Sequence, residues 1–180
     1  MKNEIPRLSM EEMTPELQES LLPRVERLGY LGEFFQCAAH QPQALMSFMS
    51  FTEELKDALP DNLTEVVALS VAKLMGNAYE RVQHERLALK LGFSEDWVRE
   101  VTSLAGDGNK MSANELAVQR LALAIIEHSG HDSARELEAV TESIGHEQAV
   151  AVLMLIGRYV THALIVNCLE LAPPVSSPLG

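Results

Sequence analysis

The chain has 180 residues, 47% apolar, 22% charged and 5% aromatic, enough for one ordinary domain whose core needs neither disulfides nor a structural metal. Its 14 basic and 26 acidic residues give a formal charge of −12, which argues against a broad basic face for nucleic acid and leaves room for a local cationic pocket. Cys37 and Cys168 form no CxxC or Cys/His cluster, so neither a disulfide framework nor a zinc site is expected, and a reducing, cytoplasmic compartment is. The opening MKNEIPRLSMEEM has no apolar core, and the longest apolar stretch, Ala149 to Gly157, stops at Arg158. Neither a signal peptide nor membrane attachment is expected.

Turn residues and apolar spacing predict helices throughout, hence an all-α fold. Residues 1–13 read as an N-terminal arm, 14–171 as the helical domain and 172–180, APPVSSPLG, as a tail with no reason to fold. Thr14-Pro15 opens the first helix with Pro at its favoured first position, and Pro23 is expected to end or kink it. A second apolar patch, Leu28 to Ala39, is separated by Gln41-Pro42 from a helix over Gln43 to Leu59, whose LMSFMSF run reads, together with the last helix, as apolar surface for a partner. After Pro60-Asp61 comes the densest apolar segment. Its portion Val66 to Ala72 has the composition of a buried strand, but its spacing is helical. Gly92 is a stop signal, Ser94 starts a short helix reaching Leu104, and Gly106 to Asn109 is a loop. Ser112/Glu115 and Ser133/Glu136 are spaced as capping boxes, and the last helix spans about Glu147 to Leu169.

The segment from Glu65 to Leu91 interrupts an apolar pattern with Glu65, Asn77, Glu80 and His84. Asn77, Glu80 and His84 share one helix face. Glu65 would lie roughly 28 Å from His84 on an unbroken helix, at about 1.5 Å of rise per residue, so cooperation between them requires a break. Gly76-Asn77 supplies one: Gly ends helices cheaply, and Asn is among the best N-caps. The second helix can then fold back and bring Glu65 near His84.

In this frame the sequence resembles the carboxymuconolactone decarboxylase and alkyl hydroperoxidase D-like family. Its peroxidase branch carries Glu-x11-Cys-x2-Cys-x3-His; here Glu65 and His84 keep the outer positions, while Asn77 and Glu80 stand where the two cysteines would be. The phrase AYERVQHERLALKLGF also looks like the family's YE…H…LA…G stretch. The resemblance implies a helical domain in the family's fold, with a helical-hairpin core, assembled as a homotrimer or hexamer. It does not carry over peroxidase chemistry, which needs a low-pKa thiolate and a resolving thiol.

Without those thiols, the residues left form an acid–base pocket. His84 titrates nearest neutrality, and Glu65 or Glu80 can hold its other ring nitrogen. By resemblance to the decarboxylase branch, His84 would be the general acid acting on a small carboxylated lactone or keto acid, with Arg81, Arg158, Tyr159 and His162 as substrate-binding candidates. Each residue also has a structural reading. Glu65 can complete a capping box with Asn62, Asn77 can be only a cap, Glu80 can be the acid of that cap and an i,i+4 partner of His84, and His84 a buried, hydrogen-bonded histidine. Arg158, Tyr159 and His162 can be packing or interface residues, and both cysteines small buried apolar groups. Alternative functions are an alkylhydroperoxidase-like antioxidant and a non-catalytic, oligomeric binder of small ligands. No Glu-x-x-His pair of the di-iron type is present, and His128 and His131 read as a helix-end loop, so no metal or cofactor is expected.

Overall fold

Ten consecutive residues, Leu63 to Ala72, are buried on every side of one helix. A helix buried all round has no solvent face to print a stripe in its sequence, which is why this segment resembles a strand by composition. The structure, a computed structural model, describes residues 5–180. Its described residues form eight α-helices and no strand: α1 (Pro15–Leu28), α2 (Glu33–Ala38), α3 (Pro42–Asp57), α4 (Asp61–Leu74), α5 (Ala78–Lys90), α6 (Glu95–Ser103), α7 (Ala113–Glu127) and α8 (Ala134–Cys168). The fold is all-α, with the α4–α5 hairpin at its core.

Helices α5, α6, α7 and α8 surround α4. Val66, Leu69, Val101, Leu121, Val152 and Leu155 belong to the main core. A second core joins Leu17, Leu21, Phe34, Cys37, Leu45 and Met49 to Val166 and Leu171 after the α8 midpoint. The candidate site lies between these two clusters.

Several expectations are corrected. Pro23 lies inside α1, which continues to Leu28 and ends at Gly29 with φ of 81°; fully buried Leu17 and Leu21 hold the helix before Pro23, and the Arg24–Glu53 ion pair holds it just after. The LMSFMSF run is mostly packed: Leu45 and Met49 are buried, and Phe48 lies beneath the Arg158 guanidinium. The last helix, by contrast, does expose apolar side chains as expected, at Val150, Met154 and Leu164. Ser112 and Glu115 form their capping box, whereas Ser133 makes no cap bond and donates to His131 O at 3.0 Å.

Both terminal segments of the described residues are tied down. Leu8 N–H donates to Gln36 O at 3.2 Å and Met13 is buried; the rest of the expected arm, residues 1–4, lies outside the described residues. In the C-terminal segment, Ser177 Oγ donates to Glu85 Oε2 at 2.7 Å, and Arg99 donates to Leu179 O at 3.1 Å. Helix α8 breaks at Gly145, whose φ of 83° no other residue type adopts cheaply. By length and composition alone α8 is apolar enough to cross a membrane, with an 18-residue window of mean hydropathy 1.9, but half of that window is buried inside the fold, as the core helix of a helical domain is.

Candidate active site

The site begins with a reversal of the chain. Gly76 takes φ of +65°, a conformation glycine reaches without Cβ strain, and Asn77 caps α5 by accepting the Glu80 N–H at 3.0 Å. Helix α5 therefore runs back along α4. The return places His84 Nδ1 2.8 Å from Glu65 Oε2, with both side chains buried. Glu65 is thus not the acid of a capping box: Pro60 occupies the N-cap of α4, and Asn62 instead donates to Glu115 Oε1 at 2.9 Å.

On the other ring nitrogen, His84 Nε2 lies 3.2 Å from the Tyr159 hydroxyl and 3.5 Å from Glu80 Oε1. Tyr159, Arg158 and His162 all come from α8. Arg158 Nη1 donates to Glu80 Oε1 at 2.9 Å and its Nε to Thr52 Oγ1 at 3.0 Å, while its guanidinium lies 4.3 Å from the Tyr159 ring centre. His162 Nε2 is 3.3 Å from Glu80 Oε2, and its Nδ1 is 3.2 Å from Asn77 Nδ2. One buried carboxylate, Glu80, thereby gathers Arg158, His84 and His162.

The protonation states follow from these contacts. Burial would lower the His84 pKa, but Glu65 and, after it, Glu80 outweigh burial through their charges and hydrogen bonds and raise it. The acid form, with a proton on Nε2, is more favoured than in a free histidine. Burial would raise the Glu80 carboxyl; the His162 ring, the Arg158 guanidinium and the His84 hydrogen bond hold it well below the ordinary range. His162, buried between Phe34 and Tyr79, is pushed down to about 4 by desolvation despite Glu80. It is neutral at pH 7, with Nδ1 accepting from Asn77 and Nε2 facing Glu80 Oε2 at 3.3 Å. Burial raises the Tyr159 phenol well above its usual value, so it stays protonated.

Glu80, His84, Arg158, Tyr159 and His162 line a cavity of about 470 Å³, within the range of small-molecule sites. Glu65 stands behind His84 and does not line it. Arg81 is a correction to the expected site: it turns along α5 to pair with buried Glu85 and does not line the cavity. In its place the cavity draws cations from elsewhere, Arg24 and Arg27 from α1, Lys56 from α3 and Arg86 and Lys90 from α5. No local pattern marks these residues, because α1 and α3 meet α5 only in the folded chain. Neither cysteine lines the cavity: Cys37 is buried and Cys168, contrary to expectation, is exposed.

The helical fold that carries this site has counterparts among known proteins. Residues 42–125 match the model of the carboxymuconolactone decarboxylase family. The debrominase Bmp8 superposes with a TM-score of 0.84 at 14% identity, over 97% of this chain and 94% of that one; a cysteine-to-alanine variant of it is solved in complex with 2,3,4-tribromopyrrole. The alkylhydroperoxidase AhpD core of a peroxidase-related protein from Ralstonia eutropha JMP134 gives a TM-score of 0.81 at 15% identity, over 94% of this chain and 92% of that one. A peroxidase-related protein from Silicibacter sp. TM1040 gives 0.79 at 14%, over 98% and 95%. At these identities the likeness is one of fold. No curated protein sequence matches significantly. Just under half of the chain thus matches the carboxymuconolactone decarboxylase family model, and its fold is similar to that of AhpD-like proteins.

Proposed function

We propose that the protein is an acid–base enzyme that decarboxylates a small anionic lactone or keto acid, with His84 as general acid. The observation that supports it is the hydrogen-bonded chain Glu65–His84–Tyr159 ending in a cavity lined by cations and by no thiol. In the reaction, the bond between the substrate carbon and its carboxylate breaks and carbon dioxide leaves. The electron pair remains as an enolate, and His84 Nε2–H protonates the carbanionic carbon. Glu65 stabilises the imidazolium before transfer, and the protonated Tyr159 hydroxyl can turn to donate to the neutral Nε2 afterwards. Solvent returns the proton to His84.

Carbon dioxide release from a panel of carboxylated lactones and β-keto acids tests the reading. Wild type should convert at least one member, and His84→Ala should lose conversion while keeping its helical circular dichroism. If no member is converted, the enzyme reading fails; ligand-dependent thermal stabilisation without turnover would then mark a binding protein.

A further inference from the structure

The cations beside His84 are not equally available. The charge of Arg158 is committed to Glu80 at 2.9 Å and to the Thr52 hydroxyl at 3.0 Å, and His84 is matched by Glu65. Lys56 has no such match. It stands on α3 one turn beyond Thr52 and lines the same cavity as Glu80, His84, Arg158 and Tyr159. Among the described residues its ammonium makes no hydrogen bond, and no carboxylate lies within the 4.0 Å of an ion pair.

Desolvation lowers the Lys56 pKa, and Arg158 lowers it further, against the opposing charges of Glu53, Glu65 and Glu80. Holding an ammonium away from water without a counter-ion is costly, and an entering anion relieves that cost. The rest of the lining points the same way. In a chain of charge −12, this cavity is lined by six Lys or Arg side chains and one acid, Glu80. Arg24 is partly neutralised by Glu53, and Arg27, Arg86 and Lys90 are exposed, which leaves half-buried Lys56 as the most sheltered cation of the cavity without a protein partner.

We propose that Lys56 is the anion anchor of this cavity and fixes its preference for ligands bearing a carboxylate that is not itself the reacting group. The first half stands on the unpaired ammonium alone; the second rests on the decarboxylase reading. A carboxylate about to leave as carbon dioxide gives up its negative charge, so a close cation would stabilise the ground state more than the transition state. Ionised Glu80 beside His84 repels a carboxylate placed there, whereas Lys56 attracts one. The ligand therefore keeps the carboxylate that Lys56 grips and loses, or reacts next to, another.

Isothermal titration with succinate, and with uncharged dimethyl succinate as control, tests the anchor without requiring turnover. Wild type should bind succinate; Lys56→Met and Lys56→Gln should weaken it by about tenfold or more, and Lys56→Arg by no more than about threefold. Binding of dimethyl succinate should be the same in all four proteins. Equal succinate affinity in wild type and in whichever of the Met and Gln variants folds overturns the proposal, as does a wild type that does not bind succinate. Borohydride reduction in the presence of pyruvate provides a further check: a trapped adduct on Lys56 would overturn the anchor role in favour of imine chemistry, and an unmodified Lys56 supports it. Because succinate binding is read directly, a failed decarboxylation assay leaves the anchor standing, and a failed anchor leaves the role of His84 untouched.

Discussion

The Glu65 carboxylate accepts the Nδ1–H of His84 at 2.8 Å across 19 residues of sequence, and this bond sets both the orientation and the charge of the imidazole. The bond exists because α4 and α5 are one apolar segment folded at Gly76 and Asn77. Burial lowers the His84 pKa while Glu65 and then Glu80 raise it, and the charge on Glu65 is the largest of the opposing contributions.

Glu65→Gln keeps a hydrogen-bond acceptor and removes that charge, so the His84 pKa should fall. Activity that needs the imidazolium is present at low pH and lost as pH rises through the folded-state pKa, so the falling limb of kcat/KM should move to lower pH. The stabilisation from the raised pKa, complete below the unfolded value of 6.5, should shrink with it, at an overall cost of about 2 kcal/mol. Nuclear magnetic resonance titration of the His84 ring and urea unfolding measure both quantities; an unmoved His84 titration contradicts the account.

Acid should destabilise the fold well before the carboxylates titrate. His162 has a folded-state pKa of about 4 against an ordinary value of 6.5, so below pH 6.5 the unfolded chain binds a proton that the folded chain refuses. Between pH 6.5 and 5 this removes about 2 kcal/mol of stability at roughly 1.4 kcal/mol per unit. Glu80 acts in the same sense: its lowered pKa contributes stability above the unfolded value, lost as pH falls through the folded one. In His162→Phe, whose ring can still pack on Phe34, the slope of stability between pH 6.5 and 5 should be flatter than in wild type.

Asn77 performs two tasks that substitutions separate. Its Oδ1 caps α5 and its Nδ2 donates to His162. Asn77→Ala should lose about 1 kcal/mol or more through the cap and loosen Glu80. Asn77→Asp keeps the cap acceptor but offers His162 Nδ1 a carboxylate in place of a donor, so the His162 pKa should rise and the acid-labile window narrow. A His162 titration unchanged in Asn77→Asp would show that the Nδ2 contact has no influence on it.

The cysteines should be dispensable for the proposed chemistry. Neither faces the cavity, and burial raises the Cys37 thiol above its usual pKa, the opposite of an activated thiolate. Cys37→Ser and Cys168→Ser should each retain carbon dioxide release, with Cys37→Ser losing about 1 kcal/mol for a hydroxyl placed in an apolar core. Thiol-dependent peroxide turnover in wild type that vanishes in either variant would establish the antioxidant reading instead.

The sequence by itself determined the helices and the frame Glu65–Asn77–Glu80–His84. Those features are local: a glycine that permits positive φ, an asparagine that caps, and i,i+4 spacing on one helix set the reversal and the shared face of the frame. The matched family segment, residues 42–125, contains that frame but not Arg158, Tyr159 or His162. Only the tertiary structure decided what faces the frame. It placed Lys56 of α3 and Arg158 of α8 on the same cavity wall and turned Arg81 away to Glu85. It also ran α1 through Pro23 and docked Ser177 on Glu85. Burial made His162 a neutral ring beside Glu80 rather than a second cation. Burial and pairing between distant helices depend on which surfaces exclude water together, and no spacing within one segment encodes that.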